Sequence, residues 1–195
     1  MERLRRLLLE RSVRRGDFVL ASGQRSSFYI DCRLTTMSAE GQGLIGRLGW
    51  RAIKERGWRP RSVGGLTMGA DPVAYAIAAA SLGTDLVVDA FSVRKEAKTH
   101  GTGRAIEGCF TPGDEVVIVE DVITTGGSAQ RAVAAVEAAG NRVLGVLAVV
   151  DRGEGGREML EGEGREVVAL VWAGELGLGG RAPAMGDGND AGTCT

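Results

Sequence analysis

Residues 116–128 run VVIVEDVITTGGS: an apolar strand-forming stretch, two adjacent acids, and a turn rich in hydroxyls and glycine that opens a helix. Segment 125–128 can turn several backbone N–H groups toward one point. It also supplies hydroxyl donors and lies at the positive end of the following helix, which makes it a cradle for a phosphate. It lacks the Gly-Lys-Ser/Thr ending of a Walker loop and the spacing of a dinucleotide fingerprint. Glu120 and Asp121 would repel a phosphate unless they served another part of the same ligand. Ribose hydroxyls or a Mg²⁺ shell are the natural partners. The bland alternative is a solvated strand-to-helix turn capped by Thr and Ser, which does not call for two acids, three hydroxyls and two glycines in succession.

A second segment, residues 94–104, reads RKEAKTHGTGR and holds four cationic side chains and His100, the chain's single histidine. The whole chain has three lysines, Lys54, Lys95 and Lys98, and two of them fall in this loop. An ammonium is a compact point charge on a flexible stem and can follow charge as it moves onto a leaving group. A surface loop whose cations meet only water is the competing reading. Residues 64–72, GGLTMGADP, follow a strand and precede a helix, so glycines here let backbone approach a second anion, or merely pack helix on sheet. Arg152 follows Asp151 at the end of a long strand. It can meet a carboxylate in a fork or form a surface ion pair.

Taken together, these segments resemble the orotate phosphoribosyltransferases of the type I phosphoribosyltransferase family, over roughly residues 16–152. The resemblance rests on the 116–128 motif, on Arg-Lys-Glu-x-Lys-x-His-Gly in the loop, and on SGQRSSFYID at 22–31, which is similar to the family's N-terminal hood. It implies transfer of the 5-phosphoribosyl group of phosphoribosyl pyrophosphate (PRPP) to orotate, giving orotidine 5'-phosphate and pyrophosphate in pyrimidine biosynthesis. It implies that Glu120 and Asp121 bind the ribose hydroxyls, and that Val122, Ile123, Thr124, Thr125, Gly126, Gly127 and Ser128 complete the PRPP loop. Lys98 would be the main catalytic cation, with Arg94, Lys95 and His100 on pyrophosphate. The 94–104 loop would be shared across a homodimer, and 64–72 would be the pyrophosphate loop. Thr124 and Arg152 would hold orotate, with Phe28 and Tyr29 of the hood over its ring. Mg²⁺ would be bound mainly through PRPP and water, with no direct protein ligand. One departure stands out: many family members carry a lysine directly before the hood's Ser-Gly, where this chain has Ala21. Either a subgroup dispenses with it or another cation such as Arg25 substitutes. Rivals are a transferase for uracil or a purine, which needs a different hood, and a PRPP-binding regulator without activity, against which the complete cationic loop argues.

The elements that position these residues follow from hydrophobic periodicity. Residues 3–15 place Leu4, Leu7, Leu8 and Val13 on one stripe with Gly16 as a stop, predicting an amphipathic helix. Phe18, Val19 and Leu20, and then Phe28, Tyr29 and Ile30, flank a turn at Ser22 and Gly23, predicting a hairpin-like cap. From about Ser38 helices and strands alternate: helix to Arg56, strand 62–66, helix 71–82, strand 86–91, strand 115–120, helix 128–139, strand 142–150. The nearly unbroken apolar runs 116–119 and 143–150 suit strands buried on both faces. The fold class is therefore α/β, a Rossmann-like and mostly parallel central sheet flanked by helices, with ligands at the strands' carboxyl ends. The resemblance adds the small N-terminal hood.

With 195 residues and 44% hydrophobic residues, the chain suits one domain. The expected layout is helix and hood at 1–37, an α/β core at 38–173, and a flexible tail at 174–195, where Gly, Ala, Asp and Asn prevail. A net charge of -1, well mixed along the chain, gives no overall field for nucleic acid or an anionic membrane. Cys32, Cys109 and Cys194 lack the close pairing of a zinc or disulfide framework, which fits a reducing cytoplasm. The N-terminal stretch lacks a cleavage site and does not read as a signal peptide, and no apolar run approaches the roughly 20 residues of a membrane span.

Overall fold

The computed structural model describes residues 1–19, 25–95 and 105–179. Helix α1 (Glu2–Arg11) buries Leu4, Leu7 and Leu8, the stripe expected of it, but it ends four residues short of the predicted boundary. The chain leaves the helix at Ser12, whose buried hydroxyl lies 2.7 Å from that of Thr35 and whose carbonyl accepts from the Asp31 N–H. From there Val13 pairs with Ile30, so residues 13–15 belong to strand β1 (Val13–Val19), antiparallel to β2 (Arg25–Ile30). The hairpin is thus longer than its aromatic triplets suggested, while the Ser22 and Gly23 turn and Ala21 lie outside the described residues.

A short helix α2 (Arg33–Thr36) leads to α3 (Ala39–Glu55), started by Ser38, whose hydroxyl accepts from the Gly41 N–H. Then come β3 (Ser62–Leu66), α4 (Ala70–Ser81), β4 (Asp89–Val93), β5 (Ile106–Gly108), β6 (Glu115–Ile123), α5 (Gly127–Ala138), β7 (Arg142–Asp151), α6 (Gly156–Gly162) and β8 (Val167–Trp172). The strand predicted at 86–91 begins later. Backbone N–H groups of Leu86 and Val88 are taken by the hydroxyls of Thr84 and Ser81, so pairing starts only at Asp89.

The six-stranded sheet has the order β5-β4-β3-β6-β7-β8, parallel throughout except for the antiparallel edge strand β5. Successive residues of β6 serve opposite cores. Val117 and Val119 pack with α3, α4 and the hood, whereas Val116 and Ile118 pack with α5 and α6. That two-sided burial is why the strand reads as an unbroken apolar run. Helices α3 and α4 approach closely because Gly46 has no side chain: a Cβ there would sit 2.3 Å from the Ala76 carbonyl oxygen.

Packing continues past Trp172, further than the Gly-rich composition suggested. A 3-10 turn (Ala173–Leu176) is closed by Glu175, which accepts from the Trp172 N–H and pairs with Arg5, and Leu176 and Leu178 are buried in the core. Residues 180–195 lie outside the described part.

Between β3 and β6 the strand order changes direction, with later strands added on one side and β4 on the other. Such a switch point opens a crevice at the carboxyl ends of the two strands. It is there that residues 66–71 and 120–128 lie.

Candidate active site

Strand β6 delivers Glu120 and Asp121 to its carboxyl end, and α5 begins six residues after Asp121, with Gly126 as its N-cap. Gly126 adopts φ +82°, a left-handed conformation that turns the chain into the helix and that a side chain would strain. The turn is pinned from beneath. The Gly156 N–H donates to the Thr124 carbonyl at 2.9 Å, and the Arg152 N–H donates to that of Ile123 at 3.0 Å. Above it lies a cleft of about 440 Å³ lined by Glu120, Val122, Ile123, Thr124, Thr125, Gly126, Gly127 and Ser128, together with the first turn of α5 as far as Arg131. The turn read from the sequence as a phosphate cradle thus lines a concave, open surface at a helix N-terminus.

An adjoining cleft of about 250 Å³ shares Glu120, Val122 and Ser128 with the first and brings three distant segments together. They are the hood at 29–33, residues 66–69 after β3, and Lys95. Asp121 stands between hood and loop. A Cβ at Gly69 would lie 2.6 Å from Asp121 Oδ1, so the glycine there makes room for the acid. The Thr67 to Met68 peptide in this loop is cis.

The two acids differ in their surroundings. Glu120 is 5% exposed, and its Oε1 has no hydrogen-bond partner among the described residues. Burial, and then the neighbouring Asp121 charge, push its carboxyl up to about 8, against the opposing pull of Arg131 and Lys95. Asp121 is also raised, chiefly by burial, while the N–H of Val122, 2.9 Å from its Oδ1, and the charge of Arg33 act the other way. A buried carboxyl with a vacant oxygen is poised to accept a hydrogen bond from a ligand hydroxyl.

Arg152 is not the surface ion pair its sequence neighbourhood allowed. It is 5% exposed, its guanidinium lies over the Phe28 ring at 4.9 Å, and Nη2 is 2.7 Å from Glu154 Oε1. That contact lacks hydrogen-bond angles, so Nε and Nη2 remain without an acceptor among the described residues. Phe28 is buried beneath the guanidinium, while Tyr29, ring to ring with Phe18 at 5.8 Å, lines the adjoining cleft. Arg94 donates from Nε and Nη2 to Glu107 at 3.2 and 3.0 Å and borders the Lys95 side of the site. Lys98 and His100 lie outside the described residues. Arg25 begins the exposed end of β2 and lines neither cleft.

Two cations escaped the sequence reading: Arg131, three residues along α5 from Ser128, and Arg33, which follows the hood. For Arg131 helical spacing was a usable signal. For Arg33 none existed, because only tertiary folding sets it opposite Asp121.

Comparison with known proteins agrees with this geometry. A family model described as the phosphoribosyl transferase domain matches residues 41–164. The chain is 47% identical over 178 residues to orotate phosphoribosyltransferase of Aquifex aeolicus, covering 90% of this chain and 96% of that one. It is 45% identical over 179 residues to the Mycobacterium avium enzyme of the same name, covering 92% and 97%. Among solved structures, Mycobacterium tuberculosis orotate phosphoribosyltransferase in complex with PRPP superposes with a TM-score of 0.76 at 40% identity, covering 90% and 98%. A phosphoribosyltransferase from Corynebacterium diphtheriae gives 0.79 at 37%, covering 91% and 98%. With coverage this complete, and with the acid pair and the glycine-rich turn of 124–128 meeting at the switch point between β3 and β6, the chain belongs to the orotate phosphoribosyltransferase family.

Proposed function

We propose that this cleft joins orotate to the ribose 5-phosphate of PRPP and releases pyrophosphate, a pentosyl transfer that serves pyrimidine biosynthesis. The observation that carries the reading is the buried Glu120, whose Oε1 has no partner among the described residues, set beside Asp121 and the N-terminal turn of α5. Glu120 and Asp121 accept hydrogen bonds from the ribose hydroxyls. The amides and hydroxyls of 124–128 take the 5-phosphate. Arg152, whose Nε has no acceptor among the described residues, receives the orotate carboxylate as a fork, with Nη2 exchanging Glu154 for the ligand. Thr124 and the hood aromatics Phe28 and Tyr29 position the flat ring.

The bond to pyrophosphate loosens first, so positive charge develops on the ribose ring and negative charge on the departing group. The protein's work is to position the reactants and neutralise that charge. Lys98 serves as the moving cation, with Arg94, Lys95 and His100 on pyrophosphate. In Arg94 this requires exchange of its Glu107 partner for the ligand. Glu120 and Asp121 are the unpaired carboxylates among the described cleft residues, and Asp31 is already held by Arg33; this donor set suits a Mg²⁺ carried by PRPP's own oxygens and water. Bound there, Mg²⁺ would neutralise pyrophosphate.

The catalytic loop at 94–104 is shared with a second copy of the chain, making the enzyme a homodimer. No helix among the described residues is long and apolar enough to cross a membrane, and we place the enzyme in the cytoplasm. Incubation with PRPP, Mg²⁺ and each base in turn tests the assignment. Orotate should be consumed, with its change in ultraviolet absorbance. Turnover of uracil or hypoxanthine with orotate untouched would overturn it, and sedimentation of a fully active monomer would remove the shared loop.

A further inference from the structure

The 66–71 segment that should face pyrophosphate carries no cation: it reads Leu66, Thr67, Met68, Gly69, Ala70 and Asp71. A pyrophosphate group brought to this wall would meet one acid and no basic side chain. Across the same cleft stands Arg33, the first residue of α2, and together with Lys95 it makes up the cationic lining among the described residues. Its guanidinium is fixed by Asp31. Nε donates to Oδ1 at 2.8 Å, Nη2 donates to Oδ2 at 3.0 Å, and the Arg33 backbone N–H also reaches Oδ1 at 3.1 Å. This fork leaves Nη1 free of Asp31, and the side chain is 48% exposed. A half-exposed guanidinium held by its neighbour has already lost much of the rotamer freedom that ligand binding would otherwise take.

We propose that Arg33 is a pyrophosphate-binding residue of this enzyme, positioned by Asp31, and that it supplies from the hood the positive charge missing from the 66–71 loop. The inference rests on the proposed reading of the cleft as the PRPP site. The mutual influence of Arg33 and Asp121 agrees with this placement, since the Arg33 charge opposes the rise of the Asp121 carboxyl. Because Arg33 lies three residues past the end of the hood strand β2, pyrophosphate would tie the hood to the 66–71 loop and Asp121.

The test is product inhibition by inorganic pyrophosphate, with Mg²⁺, measured against PRPP in wild type, Arg33→Gln, Arg33→Lys and Asp31→Asn. Loss of one charge-assisted contact should raise the inhibition constant and the KM for PRPP about tenfold or more in Arg33→Gln. Arg33→Lys should recover part of it, and Asp31→Asn should show a smaller change in the same direction. Binding of ribose 5-phosphate and the KM for orotate should stay within about twofold, since neither involves the pyrophosphate end. An unchanged inhibition constant in Arg33→Gln, or equal weakening of ribose 5-phosphate and pyrophosphate, overturns the inference. Wild type that bound neither PRPP nor pyrophosphate would instead remove the reading of the cleft itself. Should Arg33→Gln fold poorly, Arg33→Lys against Asp31→Asn carries the comparison.

Discussion

The guanidinium of Arg152 lies 4.9 Å from the centroid of the Phe28 ring, joining the carboxyl end of β7 to the hood strand β2. The contact holds a buried cation over an aromatic face while Nη2 meets Glu154 only as an ion pair and Nε has no acceptor among the described residues. A buried donor set left unmade is costly to the free protein, and that cost is recovered when a carboxylate arrives.

Arg152→Met should therefore raise the KM for orotate at least tenfold while leaving PRPP binding within about twofold. Thermal stability of the unliganded protein should change little, because the substitution gives up the ion pair with partly exposed Glu154 but also removes a buried guanidinium whose Nε finds no acceptor among the described residues. Steady-state kinetics and a melting curve check both halves.

Glu120 sets the pH behaviour. Its carboxyl titrates near 8 in the folded chain, against the ordinary carboxylate range when unfolded. Between those values the native state holds a proton that the unfolded state has lost. Stability of the unliganded protein should thus fall as pH rises from about 5 to 8, by roughly 1.4 kcal/mol per unit at the steepest. Denaturant titration across this range should show the slope in wild type and a flatter profile in Glu120→Gln. If ribose hydroxyls need the ionised form, PRPP binding at pH 7 releases a proton, which calorimetry in buffers of different ionisation enthalpy reads directly.

Gly69→Ala tests how the loop after β3 serves the acid pair. The new methyl would lie 2.6 Å from Asp121 Oδ1, so the carboxylate must move. The KM for PRPP should rise about tenfold, with the orotate KM unaffected and the melting temperature nearly unchanged. In an Asp121→Ala background the same substitution should add little, since the group it displaces is gone.

Lys98→Ala should lower kcat by two orders of magnitude or more, while PRPP binding measured without turnover weakens only modestly. An unchanged kcat would strip Lys98 of its role.

Much of this site was written locally. The β6 strand, its acids and the following turn are contiguous, and two-sided burial made the strand an unmistakable apolar run. The ends of elements were less legible. Residues 13–15 fit a helical stripe, yet the Ser12 contact with Thr35 and the Val13 pairing with Ile30 take them into the hairpin. β5 is three residues long and exists through pairing with β4, which no periodicity reveals. β8 is a short apolar run, a pattern that buried helix and strand share. Leu176 and Leu178 sit in Gly-rich sequence and are ordered by contacts with α1 and the core. Arg33 shows the same limit within the site: its neighbours in sequence are Cys32 and Leu34, and its partner across the cleft, Asp121, is 88 residues further along the chain.

The central claim is that the turn at 120–128 clasps a phosphorylated ribose, acids to hydroxyls and amides to phosphate. Calorimetric titration of the chain with PRPP and Mg²⁺ tests it most directly, in wild type and in Asp121→Arg. Saturable binding in wild type, weakened at least a hundredfold by the charge reversal in a protein that still folds, is the predicted result. Absence of binding in wild type, or equal affinity in both, would contradict it.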